Sequence, residues 1–151
     1  MSPSRWGLLM DVNIPKPCTV GGFNGLYDLA GFIAAPPEGY EGLREGYREF
    51  VAGAFGEEEG VWRAVCPTTA GEGWVKEWRD GMDRARVVLV QSREDGLVPY
   101  QQLEGLKRVL EGEEGVEVLV EEAGGEHDEI WREGAGRMAE VLWSVVVRGQ
   151  A

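Results

Sequence analysis

Arg86-Val87-Val88-Leu89-Val90-Gln91-Ser92-Arg93-Glu94-Asp95-Gly96-Leu97-Val98-Pro99 runs without a break from an apolar, β-branched segment into a polar loop that ends on a proline. A run with no polar alternation reads as a strand covered on both faces, the pattern of a parallel sheet. Pro99 suits the first position of a helix, where its missing N–H costs nothing, and residues 100–111 then place Leu103, Leu106 and Leu110 on one helical face. Val116-Glu117-Val118-Leu119-Val120 is a second strand, and Gly124-Gly125 turns the chain after it. Asp128 is placed to cap a closing helix whose stripe is Ile130, Met138, Leu142 and Val145-Val146. Strand, helix, strand, helix predicts an α/β fold with parallel strands and right-handed crossover helices.

Upstream, Cys18 to Phe23 is a short β-prone run, and Asn24-Gly25 is a turn-type pair. A short helix follows with Leu29, Phe32 and Ile33 on one side, ended by Pro36-Pro37. Tyr40, Leu43, Tyr47, Phe50, Val51 and Ala54 recur at three- and four-residue steps, the spacing of one helical face, although Gly42 and Gly46 weaken that helix. Residues 56–82 show no single period and read as a cap-like excursion of helix and loop. Residues 1–16, with Pro3 and Pro15, read as an irregular leader to a domain over 17–149.

The 151 residues suit one compact unit. Leu, Ile, Val and Phe number 37, about a quarter, enough to build a core. Against 15 basic residues stand 27 acidic ones, a formal charge of −12, which repels phosphate backbones and anionic lipid. Nucleic acid and membrane are thereby excluded as main partners. Cys18 and Cys66 form no C-x-x-C motif and read as buried thiols in a reducing compartment. With one histidine, no zinc site is expected. The apolar run from Trp6 to Met10 is too short for a signal peptide or a membrane span, so a cytoplasmic location is expected.

Two loops leave the carboxyl ends of the predicted strands, where ligands and catalytic groups gather in open parallel sheets. The first holds Asp95 and the second His127, the sole histidine. An acid followed by a base in that order is how α/β-hydrolases carry two members of a Ser-Asp-His triad, because the carboxylate fixes the imidazole tautomer and stabilises the imidazolium. Asp128 and Glu126 flank the histidine, and a simple exposed turn would use the same residues. Trp62, Trp74 and Trp78 could stack on an aromatic ligand, with core packing as the plainer use.

Gly25-Leu26-Tyr27-Asp28-Leu29, Tyr47-Arg48-Glu49-Phe50 to Gly56, Val61-Trp62 with Cys66-Pro67, the Val90–Val98 run and His127-Asp128 together resemble the C-terminal half of fungal kynurenine formamidases. That resemblance covers roughly residues 18–147. It implies the C-terminal portion of an α/β-hydrolase fold, with the N-terminal half of the fold missing. It also implies cleavage of N-formyl-L-kynurenine to kynurenine and formate in tryptophan catabolism, with Asp95 as acid, His127 as base and no metal or organic cofactor. The chain departs from the family in lacking the H-G-G oxyanion loop and the G-x-S-x-G elbow. Its serines are Ser2, Ser4, Ser92 and Ser144, none flanked by elbow glycines. The nucleophile is therefore absent, the chain is expected to be inactive by itself, and its substrate-binding residues are unknown. The implied small-molecule substrate is a formylated aromatic amine, bound once the fold is completed. A truncated gene model and a decayed remnant both fit, and so does a non-catalytic interaction module that pairs its open edge with a partner or a second copy. Half a sheet leaves one edge unpaired and one apolar face uncovered, from which marginal stability is expected.

Overall fold

The computed structural model describes residues 16–71 and 73–149, so the expected leader lies, but for Lys16, outside the described residues. Three strands, β1 (Thr19–Phe23), β2 (Ala85–Ser92) and β3 (Val116–Ala123), form one parallel sheet in the order β1-β2-β3. Thr19 pairs with Arg86 at one end of the first ladder, and Ala85 with Val116 at the start of the second. Every residue of β2 is buried, as its unbroken apolar run requires. Successive side chains point to opposite faces. Ala85, Val87 and Leu89 meet Val75 and Trp78 of α4 (Trp74–Arg79) and Leu103, Leu106 and Leu110 of α5 (Gln101–Glu111). Val88 and Val90 meet Ala123, Ile130 and Val141 on the other face. Arg86, buried at the start of β2, is neutralised across the ladder by Glu117, with Nε 2.9 Å from the carboxylate.

The N-terminal helices form a third cluster. Asp28 caps α1 (Leu29–Ala34) by accepting from the Gly31 N–H at 2.9 Å. Ile33 of α1 packs on Val51 of α2 (Arg44–Phe55) and Trp62 of α3 (Glu59–Val65). Gln102, in the first turn of α5, accepts from the Tyr27 and Asp28 N–H groups at 2.8 Å each and donates to the Asp28 carbonyl. A single buried amide thus ties the loop after β1 to the helix after β2.

Five expectations need correction. The stripe over residues 40–55 is divided: a 3₁₀ turn (Glu41–Leu43) precedes α2, Val51 is buried, and Leu43 and Phe50 stay exposed because they border an open cavity. Asp128 caps no helix. The chain makes a 3₁₀ turn (Glu129–Trp131) and folds back so closely that a Cβ at Gly134 would lie 3.0 Å from the Glu129 carbonyl, and α6 begins only at Ala135 (Ala135–Gly149). That later start turns Val141 inward with Met138 and Val145 and leaves Leu142 exposed; the Val146 side chain lies outside the described residues. Cys18, just ahead of β1, is exposed rather than buried, whereas Cys66 is buried. Finally, both faces of β2 are covered, and among the described residues apolar surface is left open along α6, where Leu142 and Trp143 are exposed, and beside β1. There a groove of about 240 Å³ is floored by Val20, Tyr27, Trp74 and Leu106, and Val20 is 41% exposed.

Tyr27 packs so tightly against Gly22 and Gly25 that any Cβ there would strike its ring. Its hydroxyl is buried and finds no hydrogen-bond partner among the described residues, and burial pushes the phenol up to about 12. Since the folded chain keeps this proton when the unfolded chain has lost it, stability is intact below pH 10 and falls between pH 10 and about 12. Two pK units correspond to about 2–3 kcal/mol. Tyr27→Phe is expected to leave stability at pH 7 unchanged or raised and to flatten this alkaline limb. Urea midpoints at pH 8, 10 and 11.5 check it, and parallel pH curves for the two proteins would count against the argument.

Candidate functional site

Each strand ends in a loop at the same edge of the sheet, and these loops converge. Asp95 follows β2 in a tight loop whose backbone it organises itself: Oδ1 accepts from the Leu97 and Val98 N–H groups at 2.9 and 2.8 Å. The Gln91 side chain braces the loop from inside by donating to the Val98 carbonyl at 2.9 Å. Ser92 Oγ is engaged as an acceptor for the Glu94 N–H. The other Asp95 oxygen, Oδ2, lies 2.9 Å from Nδ1 of His127, which follows β3. The Asp95 side chain has no exposed surface, whereas that of His127 is 28% exposed.

This geometry has a direct chemical reading. A buried carboxylate that accepts from two backbone amides presents its remaining oxygen to Nδ1, which holds that ring proton in place. Nε2 is then the unprotonated nitrogen of the neutral ring, the atom able to take a proton from a third group. The Asp95 and His127 loops are also clasped reciprocally. Gly125 N–H donates to Glu94 at 2.7 Å, and Gly96 N–H donates to Glu126 at 3.3 Å.

His127 borders a cavity of about 600 Å³ walled by Leu26, Leu29, Phe32, Tyr47, Phe50, Leu97 and Val98. Among the described residues no other acidic or basic side chain lines it. A cavity of this size suits a small organic ligand, and this lining suits an uncharged aromatic or aliphatic one. A larger cleft of about 820 Å³, past Asp28, Glu38, Arg93 and Tyr100, does not reach His127.

Trp62, Trp74 and Trp78 stand elsewhere. Trp62 and Trp78 are buried in the core, with their indole N–H groups bonded to the Gly56 and Pro17 carbonyls, and Trp74 donates to Pro67. None of the three lines the cavity beside His127, whose aromatic wall comes from Phe32, Tyr47 and Phe50. Among the described residues no group of three or more His, Cys, Asp or Glu could hold a metal ion. Nor is any described helix long and apolar enough to cross a membrane.

Sequence reasoning passed over Asn24 except as half of a turn pair. It is buried, takes a positive φ of 43°, and touches both loops: its Nδ2 donates to the His127 carbonyl and its Oδ1 accepts from the Ser92 N–H. The Asn-Gly pair itself was the available signal, because asparagine is enriched where φ is positive.

No family model matches this chain, and no solved structure matches it. A curated protein of Fusarium equiseti, described as kynurenine formamidase-like hydrolase fscH, is 35% identical over 123 residues, which cover 80% of this chain. The chain spans 38% of that protein's length. The likeness supports a hydrolase-like relationship for this α/β chain.

Proposed function

We propose that this chain supplies the acid and base of a kynurenine formamidase-like serine hydrolase. The observation that carries the reading is the 2.9 Å contact between His127 Nδ1 and the wholly buried carboxylate of Asp95. In the completed enzyme a serine from elsewhere in the protein attacks the formyl carbonyl of N-formyl-L-kynurenine. His127 Nε2 takes the serine proton and returns it to the departing amine, while Asp95 holds the ring and stabilises its charged form. Water then releases formate by the same route in reverse. The aromatic body of the substrate suits the cavity walled by Phe32, Tyr47 and Phe50. Among the described residues its ammonium and carboxylate find no oppositely charged partner in that cavity, so groups beyond its walls bind them. On this reading the sheet is the C-terminal portion of an α/β-hydrolase fold, the enzyme works in cytoplasmic tryptophan breakdown, and the 151 residues alone turn nothing over. Of the described serines, Ser92 accepts from Glu94 and Ser144 donates to the Val141 carbonyl within a helix.

The test begins with the native transcript, read in frame upstream of Met1 for an H-G-G loop and a G-x-S-x-G elbow. The protein so defined is then assayed with N-formyl-L-kynurenine, and His127→Ala is expected to lower kcat by at least about 10³-fold. Absence of an elbow serine, or turnover that survives His127→Ala, overturns the proposal. A second reading draws on the outer edge of β1, which pairs with no further strand among the described residues, and on its exposed Val20. If translation starts at Met1, the chain sediments as a stable oligomer and His127→Ala alters stability alone, then it acts as an interaction module.

A further inference from the structure

Residues 124–128, which carry His127, belong to no strand or helix. A loop of this kind does not hold an imidazole to within a few tenths of an ångström unless other elements grip it. Asp95 grips the ring, and the Glu94 and Glu126 contacts grip the loop ahead of it, but those two carboxylates are solvent-exposed and their bonds compete with water. The Glu129 carboxylate, which accepts from the Glu126 N–H at 2.8 Å, is exposed in the same way. The buried hold on the main chain is Asn24, only 5% exposed, which bonds the His127 carbonyl at 3.2 Å.

We infer that Asn24 is a positioning residue for His127, joining the ends of all three strands through one side chain. Its own N–H continues the ladder by donating to the Val90 carbonyl at 2.9 Å. Its Oδ1 accepts from Ser92 at the end of β2, and its Nδ2 reaches the residue that follows β3. Three requirements meet at this position. The backbone φ of 43° favours Gly, Asn or Asp. An acceptor is needed for the Ser92 N–H and a donor for the His127 carbonyl, and of the three residues only asparagine offers both. The amide orientation is equally determined, since the reversed amide would set oxygen against oxygen and N–H against N–H. The purpose of this arrangement rests on the hydrolase reading, whereas its test reads His127 directly and needs no turnover.

The sole histidine makes the test unambiguous, because a ¹⁵N-labelled chain gives one set of imidazole signals. The unaltered chain is expected to show a downfield Nδ1 proton and the Nδ1–H tautomer. Asn24→Asp keeps the φ and the acceptor but removes the donor, and Asn24→Gly keeps only the φ. Both are expected to broaden the downfield proton beyond detection and to move the ring nitrogens toward the average of the two tautomers. Val87→Ala, in the core on the face of β2 away from Val88 and Val90, lowers stability and leaves those signals in place, which separates positioning from general support. Asn24 variants that keep the unaltered chain's imidazole signals overturn the inference. Should neither variant fold, the Asn24 side-chain amide of the unaltered chain decides. Slow solvent exchange of its protons upholds the inference, and exchange as fast as that of a free asparagine overturns it.

Discussion

Asp95→Ala is expected to cost the chain about 2–5 kcal/mol, while Asp95→Asn leaves most of the stability and inverts the histidine. Alanine strands the Leu97 and Val98 N–H groups, which now share Oδ1, in a loop where Val98 is 3% exposed. Each buried donor left unpaired costs about 1–3 kcal/mol, a large share of the roughly 5–15 kcal/mol that holds a domain folded. Asparagine keeps Oδ1 for both amides. Its NH₂ then faces Nδ1, the ring must accept there, and the proton moves to Nε2, where a base needs a lone pair. Urea unfolding of the two variants, with the imidazole nitrogens read in parallel, checks both halves. If the proposed hydrolase function holds, the asparagine variant of the completed enzyme is expected to lose about 10⁴-fold in kcat, by the same wrong-tautomer argument. An alanine variant as stable as the parent, or an asparagine variant that keeps the proton on Nδ1, would show that Asp95 is not what organises this site.

Leu110→Ala has the other large effect, on the fold alone. Leu110 is 0% exposed and belongs with Val87, Leu89 and Trp78 to the cluster between β2, α4 and α5. Truncating a leucine so placed removes its transfer free energy and leaves a cavity, about 2–5 kcal/mol together. Leu142→Ala, at a site 46% exposed, is expected to stay within about 0.5 kcal/mol. The comparison matters because the sequence stripe put Leu142 on the inward face of its helix. Urea midpoints for the pair distinguish the two placements, and equal losses would restore the stripe as first read.

What could be read from the sequence follows from what periodicity encodes. The unbroken Arg86–Gln91 run and the Leu103, Leu106, Leu110 steps each specify an element and its buried face, and the structure has both. Asp95 and His127 were legible as a pair because each stands in the loop that follows a strand. Periodicity does not say what stands opposite a face, so Leu43 and Phe50 read as part of one helical face and are cavity wall. It also misses polar side chains whose partners lie far along the chain. Gln102 bonds residues 74 and 75 positions away, and Asn24 bonds one 103 away. The late start of α6 escaped for a related reason, since the close approach at Gly134 arises from the folded path rather than from any local pattern.

The two ladders of the sheet differ in the length of chain they enclose. Arg86 and Glu117, bonded across β2 and β3, are 31 residues apart, whereas the Asn24–Ser92 bond that fastens β1 to β2 spans 68. Closing the longer loop costs only about 0.6 kcal/mol more per doubling, yet it also requires α1 to α4 to be ordered within it. The β2-α5-β3 unit, which carries Asp95 and His127, closes through the shorter loop, so the pairing of acid with base is the more local contact. The segment that brings Phe32, Tyr47 and Phe50 to the cavity lies inside the longer loop, so ordering the ligand space carries the larger entropic cost.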